Sequence, residues 1–305
     1  MSPLPVPPLG PARSVYRSAA GEVAVRAWCE AALAREPRLR TRRVPAAGRD
    51  TGVHRLSGGP ATPVLLLSGE LLGTANLVPA LRLLAEDRPV LSADLPGLPG
   101  TGDASRSALH RAGALGAWLD DLLPRITDAP VIVLGHGIGA VAALTAAPSP
   151  LVAALVLVGP DGLAAPVPDL GRTRAAWAWR LSPNARTAAG LLDALGAPPE
   201  REGHPLTVWT ALVGRHCRAE PVPGLLRGEE FRDWSGTPVA VATGEHDRVL
   251  TPSLLSGPAR RLLGTGVSVL PGAGHLALHD APEAVRDLLR ESDPHRPRHG
   301  PVLAP

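Results

Sequence analysis

The chain has 305 residues, of which 45% are hydrophobic, and its formal net charge at pH 7 is +3. This length and apolar content allow one large α/β domain that carries an insertion. No apolar run approaches the roughly 20 residues that a membrane span needs. All 31 basic side chains are scattered arginines, and a single Tyr and a single Phe offer few platforms for stacking bases. We therefore expect neither a membrane nor a nucleic acid as a partner.

The chain shows no signal for a cofactor, a metal or secretion. It does not begin with a basic segment followed by an apolar stretch, which favours a cytoplasmic location. Cys29 and Cys217 lack C-x-x-C spacing, so neither a zinc site nor a redox pair is indicated. No H-E-x-x-H pattern occurs and no G-x-G-x-x-G follows a strand, so we expect no metal, nucleotide or flavin. The absence of lysine excludes Schiff-base chemistry.

The two ends of the chain differ in composition from its middle. Residues 1–39 are predicted to form a tail and a helix over Gly21–Arg35, followed by a leading strand or hairpin at Arg38–Val44. The segments Pro3–Pro11 and Ser292–Pro305 are rich in proline and poor in large apolar residues, so both are predicted to be disordered.

Short apolar, β-branched runs alternate with helical patterns, and this alternation predicts a mostly parallel sheet flanked by helices. The predicted strands are Val64–Leu67, Val90–Ala93, Val131–Leu134, Ala154–Val158, Val239–Thr243 and Val267–Leu270. Four of them end in polar or glycine-rich turns. In open α/β sheets such carboxyl ends form the ligand crevice.

Between Val158 and Val239 the strand pattern stops for roughly eighty residues. Helical segments rich in Ala, Leu and Trp fill the interval, which predicts a helical cap over residues 163–235, between core segments 40–162 and 236–291. Four of the six tryptophans lie in the cap, namely Trp177, Trp179, Trp209 and Trp234. They either pack the cap against the core or line an apolar substrate pocket.

The segment from Pro130 to Leu144 is typical of a buried strand, a turn of alternating glycines and a small-residue helix. Its turn, Gly135-His136-Gly137-Ile138-Gly139, has the form of the nucleophile elbow G-x-S-x-G, in which the central side chain points into the active site. Position 137, however, is a glycine. The sequence thus predicts a hydrolase scaffold without the usual nucleophile.

An acid and a histidine follow the last two predicted strands, Asp247 in Gly244-Glu-His-Asp247 and His275 in Gly272-Ala-Gly-His275. The order of nucleophile position, acid and histidine is that of α/β-hydrolase triads. Over residues 40–291 the chain resembles the capped, single-domain members of the α/β-hydrolase fold family. This resemblance implies that Asp247 orients His275, which acts as general base. Glu245 and His246 are alternatives to Asp247, and so is Asp161, which follows the preceding strand.

The resemblance assigns roles to further residues. The backbone N–H of Ile138 would donate to an oxyanion, and His136 would pack beside the elbow. Ser68-Gly69-Glu70 stands where relatives read His-Gly, and a Glu70 carboxylate facing the cavity would oppose a developing negative charge. If Ser68 and Glu70 both face the cavity, they form a substitute acid–base set. Asp94, in the turn after the second strand, is interpreted as structural.

Three interpretations of Gly137 follow. In the first, an enzyme uses the pair His275 and Asp247 on a small apolar molecule without a serine, in hydrolysis, elimination, decarboxylation or cyclisation. In the second, a non-catalytic relative of hydrolases binds a small ligand or a partner protein. In the third, the glycine was introduced into a serine hydrolase to trap a substrate. The substrate and the oligomeric state are left open.

Overall fold

A computed structural model describes residues 14–69, 71–106, 112–198, 203–219 and 224–295. Glu70, the whole predicted disordered segment Pro3–Pro11 and residues 296–305 of the predicted disordered tail lie outside these residues. The strands are β1 Arg40–Ala46, β2 Arg49–Leu56, β3 Val64–Leu67, β4 Val90–Ala93, β5 Val131–His136, β6 Val152–Val158, β7 Val239–Gly244 and β8 Val267–Leu270. The α-helices are α1 Ala19–Leu33, α2 Val78–Ala85, α3 Ala112–Ile126, α4 Ile138–Thr145, α5 Leu170–Leu181, α6 Ala185–Ala194, α7 Pro205–His216, α8 Pro252–Leu263, α9 Ala277–Asp280 and α10 Pro282–Glu291. No helix among the described residues is long and apolar enough to span a bilayer.

The strands form one sheet in the order β1-β2-β4-β3-β5-β6-β7-β8, parallel from β4 to β8. Successive side chains point to opposite faces, so each buried strand serves two cores. Leu66 and Leu134 lie in the core that contains α1, α2 and α10, whereas Leu65 and Val133 lie in the core that contains α3, α4 and α8. The predicted α/β-hydrolase fold is confirmed.

The segment near residue 40, predicted as a leading strand or a hairpin, is a hairpin of the antiparallel strands β1 and β2. The sequence gives little sign of β2, because some of its buried positions are polar. Thr51 accepts a hydrogen bond from the indole of Trp118 at 2.8 Å, and His54 bonds to Thr41 at 2.9 Å and to Thr101 at 3.0 Å. Internal hydrogen bonds satisfy these polar groups, so the strand is buried without an apolar pattern.

Helices α5, α6 and α7 lie between β6 and β7, and these helices with the described residues that join them are called the cap below. The N-terminal segment ties the cap to the rest of the molecule. The backbone N–H of Arg17 donates to the carbonyl of His216 at 2.8 Å, and that of Arg218 donates to Val15, also at 2.8 Å. The rings of Trp28 on α1 and Trp209 on α7 are 4.7 Å apart. The end of α7 is therefore held by a segment outside the cap.

The helix α4 packs directly on the backbone of β3. A Cβ built at Gly139 would lie 2.0 Å from the carbonyl oxygen of Leu67, closer than atoms approach one another. A Cβ at Gly135 would lie 2.8 Å from the backbone nitrogen of Ala140. The two outer glycines of the elbow are thus required by close approach of the backbone.

We predict that Gly139→Ala lowers the free energy of unfolding by about 3 kcal/mol, because the added methyl forces α4 away from β3. Gly190→Ala is the matched control, since a Cβ on that exposed residue of α6 meets nothing within 4 Å. It should raise stability by about 0.5–1 kcal/mol. Denaturant unfolding of both variants measures the difference, and equal stabilities would contradict the packing argument.

Candidate active site

Polar loops after β3, β5, β6 and β8 meet at the carboxyl edge of the sheet and line a cavity of about 430 Å³. Strand order reverses between β3 and β5, and in open α/β sheets the ligand crevice lies at such a switch point. The core contributes Gly69, His136, Gly137, Asp161 and His275 to the wall of this cavity.

Gly137 occupies the turn between β5 and α4, with φ 54° and ψ −121°. This left-handed backbone strains a residue that has a side chain, and glycine adopts it readily. A Cβ built here would lie 3.4 Å from Oδ2 of Asp161 and 3.5 Å from Cα of Gly69, so it would fit the space. The turn has the geometry of a nucleophile elbow and presents no side chain.

His275 and Asp247 meet beside this turn. Nδ1 of His275 lies 3.0 Å from Oδ2 of Asp247, and the carboxylate is almost completely shielded from solvent. The histidine lines the cavity, whereas Asp247 lies behind it. Because the carboxylate accepts from Nδ1–H, it fixes the ring orientation and leaves Nε2 as the nitrogen that accepts a proton.

The Asp247 carboxylate is held by donors on both oxygens. Oδ1 accepts from the backbone N–H of Val249 at 2.7 Å and of Leu250 at 2.8 Å, and Oδ2 accepts from the Thr243 hydroxyl at 2.9 Å. Burial alone would raise the pKa of Asp247, but the charge and hydrogen bond of His275 together with these N–H groups hold it below its usual value. Asp247 is therefore ionised near neutral pH.

Glu245 and His246, the two alternatives to Asp247 that precede it in the chain, do not contact His275. The carboxylate of Glu245 accepts from the backbone N–H of Gly272 at 3.0 Å, and its side chain is exposed. His246 is also exposed. Of these three residues, only Asp247 contacts His275.

His136 braces the loop that carries His275. Its Nε2 donates to the carbonyl of His275 at 2.8 Å, while the backbone N–H of His275 donates to Leu195 of the cap at 3.1 Å. Burial and the charge of His275 lower the pKa of His136 to about 4, so its ring is neutral. Its Nδ1 is buried without a partner among the described residues and lies 2.7 Å from the Cβ position of Gly69. His136 lines the cavity and positions the histidine loop.

Asp161 lies on the side of the cavity nearest the elbow. Its backbone N–H donates to the carbonyl of Gly137 at 3.2 Å, and its carboxylate lines the cavity beside the Cβ position of that residue. Burial raises the pKa of Asp161 to about 6, since the attraction of His275 offsets burial only in part and the charge of Asp247 adds to the rise. Asp161 is thus not the partner of Nδ1 of His275, because Asp247 takes that place.

The other residues that the sequence assigned to the site, Ile138, Ser68 and Asp94, lie in different surroundings. The Ile138 N–H stands at the first turn of α4, where helix N–H groups lack intrahelical acceptors. Ser68 is buried and is not part of the cavity wall, so the substitute set with Glu70, which lies outside the described residues, loses one member. Asp94 accepts from the side chains of Thr74 and Thr101, each at 2.7 Å, and joins loops away from the cavity.

Of the four tryptophans in the predicted cap, one lines the cavity, two are buried in the cores and one is exposed to solvent. Trp179 lines the cavity and donates to the carbonyl of Thr210 at 2.8 Å. Trp209 and Trp234 are buried in the two cores, whereas Trp177 is 63% exposed. The cap also brings cations to the cavity wall, which includes Arg172 and Arg180. Apart from these groups, the wall is mostly apolar.

The part of the chain that the structure describes contains no group of three His, Cys, Asp or Glu side chains arranged to hold a metal ion. Cys29 and Cys217 are both buried and unbridged. Burial raises the pKa of the Cys29 thiol far above its usual value, so this thiol is unreactive.

The family model of the alpha/beta hydrolase family matches residues 56–288, and the chain belongs to this family. A search of the curated proteins finds no match to the sequence. The fold is similar to that of the carboxylesterase CesB of Bacillus subtilis, with a TM-score of 0.70 and 18% identity over 90% of this chain and 98% of that one. The naproxen esterase of Bacillus subtilis gives a TM-score of 0.70 at 14% identity, covering 90% and 99% of the two chains. At these identities the likeness shows the fold alone.

We predict that Asp161→Asn gains stability relative to the wild type as pH rises. In the folded protein the pKa of Asp161 is raised to about 6, so folding holds its proton more tightly and wild-type stability falls as pH rises from about 4 through 6. The variant lacks this loss and should gain about 1–2 kcal/mol over that interval. Unfolding at pH 4 and pH 7 checks this, and a difference that is independent of pH would contradict it.

Proposed function

We propose that the protein hydrolyses a small, largely apolar ester without a nucleophilic serine, using His275 as general base and Asp247 as its orienting partner. The observation that carries this proposal is the 3.0 Å contact between Nδ1 of His275 and Oδ2 of Asp247 on the wall of a cavity that also contains the bare turn at Gly137. A binding protein has no need of a histidine oriented in this way.

In the proposed reaction, a water molecule attacks the ester carbonyl directly. Nε2 of His275 takes one proton from this water as its oxygen bonds to the carbonyl carbon, and the imidazolium is stabilised by Asp247. The N–H of Ile138 would donate to the oxygen on which negative charge develops. When the tetrahedral intermediate collapses, His275 returns its proton to the departing alcohol. The side chain of a serine at 137 would occupy space that this water needs.

The substrate class follows from the cavity. A volume of about 430 Å³ suits a small molecule, since ligand pockets typically span about 300–1,000 Å³. Leu71, Leu191, Val213 and Leu276 supply apolar wall. The cap arginines favour a substrate that carries a polar or anionic group at the end remote from the ester. No cofactor and no metal ion takes part in the proposed steps.

Binding without catalysis is the second candidate function. It is favoured by one observation, the glycine at 137, because loss of a triad nucleophile removes covalent catalysis and leaves only about 10³–10⁴-fold acceleration over water. Under this alternative the cavity holds a small ligand that is released unchanged. Turnover that depends on His275 separates the two candidates.

We predict that His275→Gln lowers kcat for 4-nitrophenyl butyrate by about 10²–10⁴-fold, because the variant has no general base. The matched control is His246→Gln, which alters an exposed histidine of a neighbouring loop. Release of 4-nitrophenol measures both variants. Equal rates in the wild type and His275→Gln would refute the proposed mechanism and favour the binding protein.

We further predict that Gly137→Ser hydrolyses 4-nitrophenyl esters through an acyl-enzyme. The new hydroxyl would start from a Cβ position beside the cavity, with His275 as its base. Gly137→Ala is the matched control, because both variants introduce a Cβ at φ 54° and should lose about 1–3 kcal/mol of stability. Only the serine variant should give a burst of 4-nitrophenol and an acyl adduct by mass spectrometry. A folded serine variant without a burst would show that base and donors are not aligned for acyl transfer.

A further inference from the structure

The cavity contains a carboxylate that the general-base step does not use. Oδ2 of Asp161 is 3.4 Å from the Cβ position of residue 137, where the nucleophile of an elbow would begin. The loop after β6 also runs beside the catalytic pair, since the Cβ position of Gly159 lies 3.6 Å from Oδ2 of Asp247 and 3.8 Å from Nδ1 of His275. Asp161 therefore faces the point at which the proposed water would attack.

Asp161 is partly buried at the cavity wall, and it differs from the buried carboxylates Asp94 and Asp247 in its hydrogen bonding. Asp94 accepts from Thr74 and Thr101, and Asp247 accepts from backbone N–H groups and Thr243. None of the described residues donates a hydrogen bond to the carboxylate of Asp161. Hydrogen bonds within the described residues therefore do not account for a carboxylate at this point of the cavity wall. A group held in this state within a cavity is suited to bind a donor that enters with the substrate.

The charges around Asp161 come from several elements. His275, from the loop after β8, attracts it, and Asp247, from the loop after β7, repels it. His136 at the end of β5 is neutral, as shown above. From the cap side, Arg172, Arg180 and Arg218 line the same cavity. Of these groups, His275 is the one whose charge lowers the pKa of Asp161.

We propose that Asp161 is a catalytic residue that holds the attacking water against the substrate, in the place that a serine hydroxyl takes in an ordinary elbow. This proposal rests on the hydrolysis proposed above. The Asp161 carboxylate accepts a hydrogen bond from one O–H of the water, and His275 removes the proton of the other O–H. The water oxygen bonds to the carbonyl carbon, and the carbonyl electron pair moves to its oxygen. On collapse the ester C–O bond breaks and the proton on His275 passes to the leaving alcohol. Asp161 keeps its negative charge throughout these steps.

Asp161→Asn and Asp161→Ala test this role with 4-nitrophenyl butyrate as the probe. Both should lower kcat by about 10–100-fold with little change in KM, because the carboxylate acts on the water rather than on the ester. The ratio of wild-type to Asp161→Asn activity should shrink as pH falls below 6, where the wild-type carboxyl is protonated. Asp161→Asn also removes a negative charge that attracts His275, so the ratio reports the loss of this attraction together with the loss of the carboxylate. Asp193→Asn, at an exposed carboxylate on the cap, is the matched control and should keep the wild-type kcat.

Formate offers a test that a structural role would not pass. Added to Asp161→Ala, formate should restore part of kcat in a saturable manner, and it should leave Asp193→Asn unchanged. Failure of formate to restore activity, together with a wild-type kcat in Asp161→Asn, would overturn the proposal. An acyl group found on an Asp161 peptide by mass spectrometry would overturn it too, because Asp161 would then be the nucleophile itself.

The two variants His275→Gln and Asp161→Asn distinguish failure of the role proposed for Asp161 from failure of the proposed function. Turnover that His275→Gln abolishes and Asp161→Asn leaves intact contradicts the role of Asp161 alone. Wild-type turnover that His275→Gln does not change contradicts the proposed function. In that case carboxyl ¹³C NMR decides on the placement of Asp161. Its resonance should titrate near pH 6, with a midpoint that rises in His275→Gln, because His275 lowers the pKa of this carboxyl. An ordinary midpoint that His275→Gln does not move would overturn the placement.

Discussion

Close contact of backbone with backbone at the ends of the strands is the constraint on which the site depends. A Cβ at Gly139 would meet the Leu67 carbonyl at 2.0 Å, and one at Gly244 would meet the carbonyl oxygens of Ala273 and Gly274 at 2.3 Å. The loop of His275 continues this packing, because a Cβ at Gly274 would lie 2.3 Å from the backbone of Gly196 in the cap. Side chains at these points would separate the loops by several tenths of an ångström or more. The hydrogen bond between His275 and Asp247 would be lost or weakened by such a separation, because its distance and angle must stay within narrow limits.

The two carboxylates near His275, those of Asp247 and Asp161, differ in their hydrogen-bond partners. Asp247 is saturated with donors and is ionised, so it stabilises a positive imidazole. Asp161 lacks such donors, and burial in the cavity wall raises its pKa to about 6. Titratable groups whose surroundings push their pKa values apart are a common feature of acid–base sites. The separation here arises from the hydrogen bonds each loop supplies, since both residues are aspartates at the ends of adjacent strands.

The sequence predicted the sheet well where its strands are apolar and buried, because short β-branched runs between helical patterns favour a strand over other secondary structure. It predicted β2 poorly, because Thr51 and His54 are buried through long-range hydrogen bonds that local patterns do not reveal. The positions of Asp247 and His275 followed from short motifs after strands. The place of Asp161 beside residue 137 did not, because it depends on how the loop after β6 folds back onto the elbow. The sequence also did not predict that Ser68 is buried away from the cavity wall. A shift of one residue along a strand decides which face a side chain takes.

The ties between the N-terminal segment and the end of α7 bear on how molecules enter and leave. Hydrogen bonds of Arg17 and Arg218 join the end of α7 to the segment before α1. The tilted rings of Trp28 and Trp209 join α7 to α1, which itself packs in the core. Moving this helix away from the core would break the contact between the two indole rings and both backbone hydrogen bonds together. The part of the cavity wall that α7 supplies, Val213, is therefore held in place by contacts outside the cavity.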